Sequence, residues 1–242
     1  MMNAERDRKK DVVHMHGIHF KWPGERSFNI EIADFTLDEG ECLLLLGPSG
    51  SGKSTLLSLL AGIVVPQAGE IRVLGTEITS LGSAARDHFR AEHFGIIFQM
   101  FNLLPYGAVV DNVTLPLHFA PKRRERASEA GGVEHEAHRL LSALGIGKEL
   151  HQKPAAQLSV GQQQRVAAAR ALIGAPEITI ADEPTSALDR DRQQNFLDLL
   201  FTQAHEVGTA LIMVSHDPTL SERFGRTEDL RKFINPGMGA AS

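Results

Sequence analysis

Gly47-Pro48-Ser49-Gly50-Ser51-Gly52-Lys53-Ser54-Thr55 follows the pattern G-x-x-x-x-G-K-[ST], and its flanks decide the fold. The apolar run Cys42-Leu43-Leu44-Leu45-Leu46 before it reads as a buried strand, and Thr55–Ala61 after it as a helix. Gly47, Gly50 and Gly52 let the backbone curl until successive N–H groups converge on phosphate oxygens. The helix that follows aims the positive end of its dipole at the same point. In such a loop Lys53 reaches the β- and γ-phosphates and the Ser54 hydroxyl ligates Mg²⁺. The stretch implies a site for a nucleoside triphosphate.

Working outward, residues 11–40 alternate short apolar segments with turn signals at Pro23-Gly24 and Glu39-Gly40, the pattern of a small antiparallel sheet. Residues 70–74 and 94–98 read as further strands. From about residue 100 to 172 the texture is helical: Ala137, Leu140, Leu141 and Leu144 recur at i, i+3, i+4 and i+7 and stop at Gly145. Lys122-Arg123-Arg124-Glu125-Arg126 reads as a solvated helix end. Apolar runs return at Glu177–Ala181 and Ala210–Ser215, with helical residues 191–206 between them. Alternation of this kind argues for a mostly parallel sheet covered by helices.

Ile178-Thr179-Ile180-Ala181 ends in Asp182 and Glu183. Ligands of parallel α/β sheets bind beyond the carboxyl ends of the strands. Asp182 is therefore placed to hold Mg²⁺, directly or through water, and Glu183 to deprotonate an attacking water. Leu158-Ser159-Val160-Gly161-Gln162 opens a helix that Ser159 can cap, with Gly161 permitting close approach to its N-terminus. Val166, Ala169, Arg170 and Leu172 then form its packing face.

The 242 residues are 42% hydrophobic, enough for a packed α/β domain, and the net charge of −5 argues weakly against a nucleic-acid grip as the main task. The single cysteine, Cys42, lies in the apolar strand and reads as a small buried hydrophobe, which rules out a disulfide within the chain. The polar opening MMNAERDRKKD has no secretory apolar core, and no apolar run is long enough to cross a bilayer.

Taken together, these segments resemble the ATP-binding subunits of ABC transporters over nearly the whole chain. Leu158–Gln162 is similar to that family's LSGGQ signature, Gln99 to its Q-loop glutamine, Ser186-Ala187-Leu188-Asp189 to its D-loop and His216 to its switch histidine. The resemblance implies a P-loop NTPase (RecA-like) core with a mostly parallel sheet, an N-terminal antiparallel β-subdomain and an α-helical subdomain inserted at about 100–172. Residues 1–242 are then a single nucleotide-binding domain.

The resemblance further implies an ATPase using ATP and Mg²⁺. Two ATP molecules would be sandwiched between two like subunits, most simply two copies of this chain. Lys53, Gln99, Glu183 and His216 would serve hydrolysis, and Ser54, Gln99 and Asp182 the metal. Ser159, Gly161 and Gln162 would meet the nucleotide of the partner, and Asp189 would cross the interface. Trp22 would stack on adenine, with Phe20 as the alternative. An integral-membrane permease would be driven from the cytoplasmic face of the inner membrane, with no nucleic acid involved. The competing expectation is a non-transport ABC ATPase, such as a scaffold in a cell-division complex.

Phe98–Tyr106 and Asp111–Leu117 look like the branch of lipoprotein-release, macrolide-export and cell-division ATPases, and Phe101, Leu103, Leu104 and Tyr106 read as the dock for a permease coupling helix. Two departures stand out. Val160 replaces the usual signature glycine, and residues 226–237 lack the turn of the usual final hairpin, which is therefore expected to be absent or reduced. His14, His16 and His19 cluster in sequence. On a regular strand His14 and His16 share one face and His19 the other, with no carboxylate or cysteine beside them, so they read as surface residues rather than a metal site.

Overall fold

A computed structural model of the chain describes residues 10–24, 28–186 and 188–236. The polar opening at 1–9, Ala187 of the D-loop segment and the tail beyond residue 236 lie outside the described residues.

The strands are β1 (Asp11–Lys21), β2 (Phe28–Asp38), β3 (Cys42–Leu46), β4 (Ala68–Val73), β5 (Thr76–Glu77), β6 (Phe94–Ile97), β7 (Ile178–Asp182), β8 (Ala210–Ser215), β9 (Arg226–Asp229) and β10 (Ile234–Pro236). The helices are α1 (Lys53–Leu60), α2 (Ser83–His93), α3 (Val109–Thr114), α4 (Pro121–Glu129), α5 (Val133–Ala143), α6 (Val160–Leu172) and α7 (Arg190–Val207). Two sheets form. One is parallel, in the order β6-β7-β8-β3-β9, and the other antiparallel, in the order β10-β2-β1-β4-β5.

The parallel sheet is covered on both faces, which is why its strands read as unbroken apolar runs. Leu43 and Leu45 of β3, Ile178 and Ile180 of β7, and Ile212 and Val214 of β8 pack with α1 and the antiparallel sheet. Leu44, Ala181, Leu211 and Met213 point the other way, into a second core with α3, α5, α6 and α7. The predicted stripe of Ala137, Leu140, Leu141 and Leu144 is fully buried there. Cys42, at the start of β3, is half-buried rather than enclosed, and burial pushes its thiol up.

The antiparallel sheet is not confined to the N-terminal segment, since β4 and β5 join it after the phosphate loop and β10 from the far end of the chain. The tail also differs from a hairpin. β9 pairs parallel with β3 while β10 pairs antiparallel with β2, so the two strands extend different sheets across a 3₁₀ turn at 230–233.

The charge run at 122–126 is not simply solvated. Arg123 is buried, and its guanidinium donates to the carbonyls of Phe94 (2.9 Å), Ala171 (2.9 Å) and Ile173 (2.6 Å). Ala171 and Ile173 end α6, and Phe94 ends α2. One cation thus satisfies the orphan carbonyls of two helix C-termini, where the dipoles also favour positive charge. Gly174 permits the approach, because a Cβ there would lie 2.4 Å from the Arg123 carbonyl oxygen.

Candidate functional site

At the carboxyl end of β3 the chain turns through Gly50 and Gly52, both with positive φ, before α1 begins at Lys53. The Gly47 N–H donates to the Ser215 carbonyl (3.1 Å), which fastens the loop to β8. Lys53 is buried, and its Nζ donates to the carbonyls of Gly47 (2.8 Å) and Pro48 (2.9 Å). The same Nζ lies 3.0 Å from Glu183 Oε1.

Glu183 follows directly on β7 at φ +46, a left-handed conformation that costs a non-glycine residue about 1–3 kcal/mol. Its surroundings impose it. The Glu183 N–H donates to Val214 (3.1 Å), and the Glu183 carbonyl accepts from the Ser186 N–H (3.2 Å) and hydroxyl (3.0 Å). Buried Gln164 of α6 then donates to the Pro184 carbonyl at 2.6 Å. The result aims the carboxylate into the cleft, where its second oxygen lies 2.9 Å from His216 Nδ1. Glu183 thus bridges Lys53 and His216, a buried acid between two nitrogen partners.

Asp182, one residue earlier, accepts from the Ser54 hydroxyl at 2.8 Å. Burial is the main reason its carboxyl is raised above the usual range, with the neighbouring Glu183 charge adding to it and the Ser54 bond opposing it. A carboxylate held partly out of water beside a hydroxyl is a pair of hard oxygens suited to Mg²⁺. The Ser51 hydroxyl is buried in the loop with no protein partner.

Lys53, Ser54, Asp182, Glu183 and His216 line one cleft of about 630 Å³ together with Trp22, Ser49, Thr55, Gln99 and Ser186. Trp22 donates from Nε1 to the Thr55 hydroxyl (3.2 Å) and packs edge-on against Phe20. Phe20 is 4% exposed and Trp22 38%, so only the tryptophan offers a ring face to the cleft.

Ser159, Gly161, Gln162 and Asp189 do not line this cleft. Ser159 caps α6 through a reciprocal box: its hydroxyl accepts from the Gln162 N–H, and the Gln162 side chain accepts from the Ser159 N–H. Asp189 caps α7 with a single bond, its carboxylate accepting from the Arg192 N–H. Val160 points to solvent.

Several residues escape a motif reading. Phe101 and Asn102 both have positive φ, and their carbonyls accept from the Arg170 guanidinium. Arg170 is therefore more than part of a packing face: it ties α6 to the segment carrying Gln99, and burial lowers its pKa. Its signal in the sequence is a lone arginine on an alanine-rich face. Phe101 belongs to the core at 8% exposure, which removes it from the predicted docking cluster, whereas Leu104 and Tyr106 are exposed. A separate, mostly apolar groove of about 600 Å³ opens between Phe94, Phe98, Pro116 and Phe119.

Comparison with known proteins gives the family and the fold. A sequence profile described as ABC transporter matches residues 30–186. The uncharacterized ABC transporter ATP-binding protein YbbA of Escherichia coli (strain K12) is 41% identical over 220 residues, 90% of this chain and 93% of its own. The lipoprotein-releasing system ATP-binding protein LolD of Hydrogenovibrio crunogenus is 39% identical over 205 residues, 84% of this chain and 86% of its own. The dimeric structure of a post-hydrolysis state of the ATP-binding cassette MJ0796, bound to ADP and Pi, superposes with a TM-score of 0.78 at 30% identity, covering 94% of this chain and 99% of that one.

Proposed function

The chain belongs to the ABC transporter family as an ATP-binding ATPase subunit, and from that premise we propose how its residues divide the work of a two-copy motor. The loop 47–55 holds the triphosphate, with the backbone N–H groups of Gly50–Thr55 and the Lys53 ammonium on its phosphates and Trp22 against the adenine. Ser54 and Asp182, already 2.8 Å apart, hold Mg²⁺ with Gln99 completing the set. Mg²⁺, when bound, neutralises charge on the β- and γ-phosphate oxygens.

Glu183 takes the proton of the attacking water. Lys53 and His216 hold the carboxylate in place, and His216, 54% exposed on the rim, reaches the γ-phosphate by exchanging its bond to Glu183. Ser159, Gly161 and Gln162 complete the site of a second copy. The capping box leaves the start of α6 on the surface, with hydroxyl, N–H groups and dipole available to a phosphate from outside. Asp189 sits at the same dimer surface. MJ0796, which superposes on this chain, forms a dimer of cassettes, and this supports the pairing.

The helical lobe at about 100–172 receives an integral-membrane permease. The groove between Phe94, Phe98 and Phe119 lies next to Gln99, so a coupling segment seated there would sense the nucleotide. Phe119 on this groove is 66% exposed and Phe98 38%, an apolar display that favours a partner at this face. The peripheral place at the cytoplasmic face of the inner membrane rests on the likeness to transporter ATP-binding proteins; among the described residues no helix is long and apolar enough to cross a membrane. Likeness to LolD supports the branch of lipoprotein-release and macrolide-export ATPases.

One observation carries the reading: Glu183 stands between Lys53 and His216, one residue from a Ser54–Asp182 pair, in a single cleft. The test is phosphate release from ATP with Mg²⁺ or with a chelator, alongside sizing of Glu183→Gln with ATP. Mg²⁺-dependent release by the parent and an ATP-dependent dimer in the variant are expected. A monomer under all nucleotide conditions overturns the two-copy site.

A further inference from the structure

The outer face of the antiparallel sheet carries a cluster that the nucleotide chemistry does not use. On a regular strand His19 would face away from His14 and His16, but β1 is not regular. Gly17 has φ +61 and the register opposite β4 slips between His16 and His19. Gly69 makes room for this bulge, since a Cβ there would lie 2.4 Å from the Gly17 carbonyl oxygen. The inward positions become Met15 and Ile18, paired with Phe35 and Ile32 of β2, and all three histidines turn to solvent.

The pairing with β2 corrects the expectation that no carboxylate joins these histidines. The register sets Asp34 directly opposite His16 and diagonal to His14. Asp34 Oδ1 is 2.8 Å from His14 Nε2 and 3.5 Å from His16 Nδ1. One ligand atom from each of the three residues lies within 4.8 Å of the others. Ligands of a metal bound at about 2.0–2.2 Å stand roughly 3–4 Å apart, so small rotamer changes close the set.

We propose that His14, His16 and Asp34 form a binding site for a divalent transition ion of the zinc class. Two imidazole nitrogens and one carboxylate oxygen suit zinc, nickel or copper and not magnesium or calcium, which prefer oxygen alone. Three protein ligands leave a position open to water. Arg72, opposite His14, is the one cation of β4 on this face, and it is already engaged by Glu70 (2.9 Å) and Glu77 (3.7 Å). The ion would cross-link β1 and β2 at a point distinct from the nucleotide cleft, none of whose lining residues it shares.

The test is calorimetric titration of the full chain with zinc chloride, repeated with magnesium chloride, and the visible spectrum of the chain with cobalt(II). One zinc per chain is expected, no heat from magnesium at this site, and a cobalt spectrum with nitrogen-ligand intensity. His16→Gln and Asp34→Asn should each weaken zinc binding at least tenfold and abolish the rise in melting temperature that zinc gives the parent. Both positions are exposed, so melting without metal should match the parent and ATP turnover should persist. Absence of stoichiometric zinc binding overturns the site. So does binding that survives unchanged in the His14→Gln/His16→Gln double variant, which would belong to another part of the chain.

Discussion

Replacing Arg123 by alanine tests whether one buried cation holds the helical lobe to the core. The guanidinium is buried, and this, more than the neighbouring Arg126 charge, brings its pKa down to about 10. It stays charged at neutral pH, at a cost of about 3 kcal/mol relative to water. Alanine relieves that cost but strands the carbonyls of Phe94, Ala171 and Ile173. Buried acceptors left without a donor cost about 1–3 kcal/mol each, and the vacated stem leaves a cavity as well. The net expectation is a loss of about 3–5 kcal/mol. For a chain of this size that lowers the melting temperature by roughly 10 °C, at about 2–4 °C per kcal/mol. Arg123→Lys should recover only part of it, because one ammonium cannot reach two helix ends as a planar fork does. Thermal melts and urea midpoints measure the effect. A change below about 1 kcal/mol in the alanine variant would refute the C-terminal capping role.

Glu183→Gln removes the proposed base but keeps its shape, so phosphate release should fall about 10²–10⁴-fold while ATP is still retained; a parent-like rate would show that the proton goes elsewhere. Asp182 has its carboxyl raised by burial, so the folded chain holds that proton more tightly than the unfolded one. Its contribution favours folding at low pH and is lost as pH climbs from the ordinary carboxylate range through the raised value. Asp182→Asn should therefore melt higher than the parent at neutral pH while losing Mg²⁺-dependent turnover, and a lower melting temperature there contradicts the burial argument. Val160 is 52% exposed at the first turn of α6, outside the Ser159–Gln162 box. Exposed changes of this kind shift free energies by about 0.5 kcal/mol, so Val160→Gly should leave turnover within about threefold; a larger change in steady-state phosphate release would place this side chain in the partner's site.

The parts that were legible in the sequence are those whose chemistry is local. Glycines before a lysine, an apolar strand ending in two acids and a serine three residues before a glutamine each carry their geometry with them. What was not legible depends on which backbone atoms arrive from elsewhere. Arg123 sits in a run of charges, and nothing nearby reveals that two helices will end against it. Arg170 is one arginine among alanines until the carbonyls of Phe101 and Asn102 turn toward it. The facing of His19 hinges on one glycine bulge that period-two reasoning passes over.

The two buried arginines share a physical logic that bears on the motor. Arg170 leaves α6 for the segment after Gln99, while Arg123 receives the far end of α6 and the start of β6. Gln164 meanwhile joins the first turns of α6 to the Pro184 carbonyl beside Glu183. The helix that presents Ser159 and Gly161 outward is therefore bonded along its length to Gln99's segment, to the base and to α4. Each bond uses a side-chain donor on a backbone carbonyl, so none can slide without stranding a buried acceptor. A nucleotide of a second copy pulling on the N-terminus of α6 would displace a rigid body that already includes the groove-side elements. Under the proposed two-copy arrangement, the signature helix, rather than the phosphate loop, would be the mechanical element connecting one copy's nucleotide to the proposed permease face of the other.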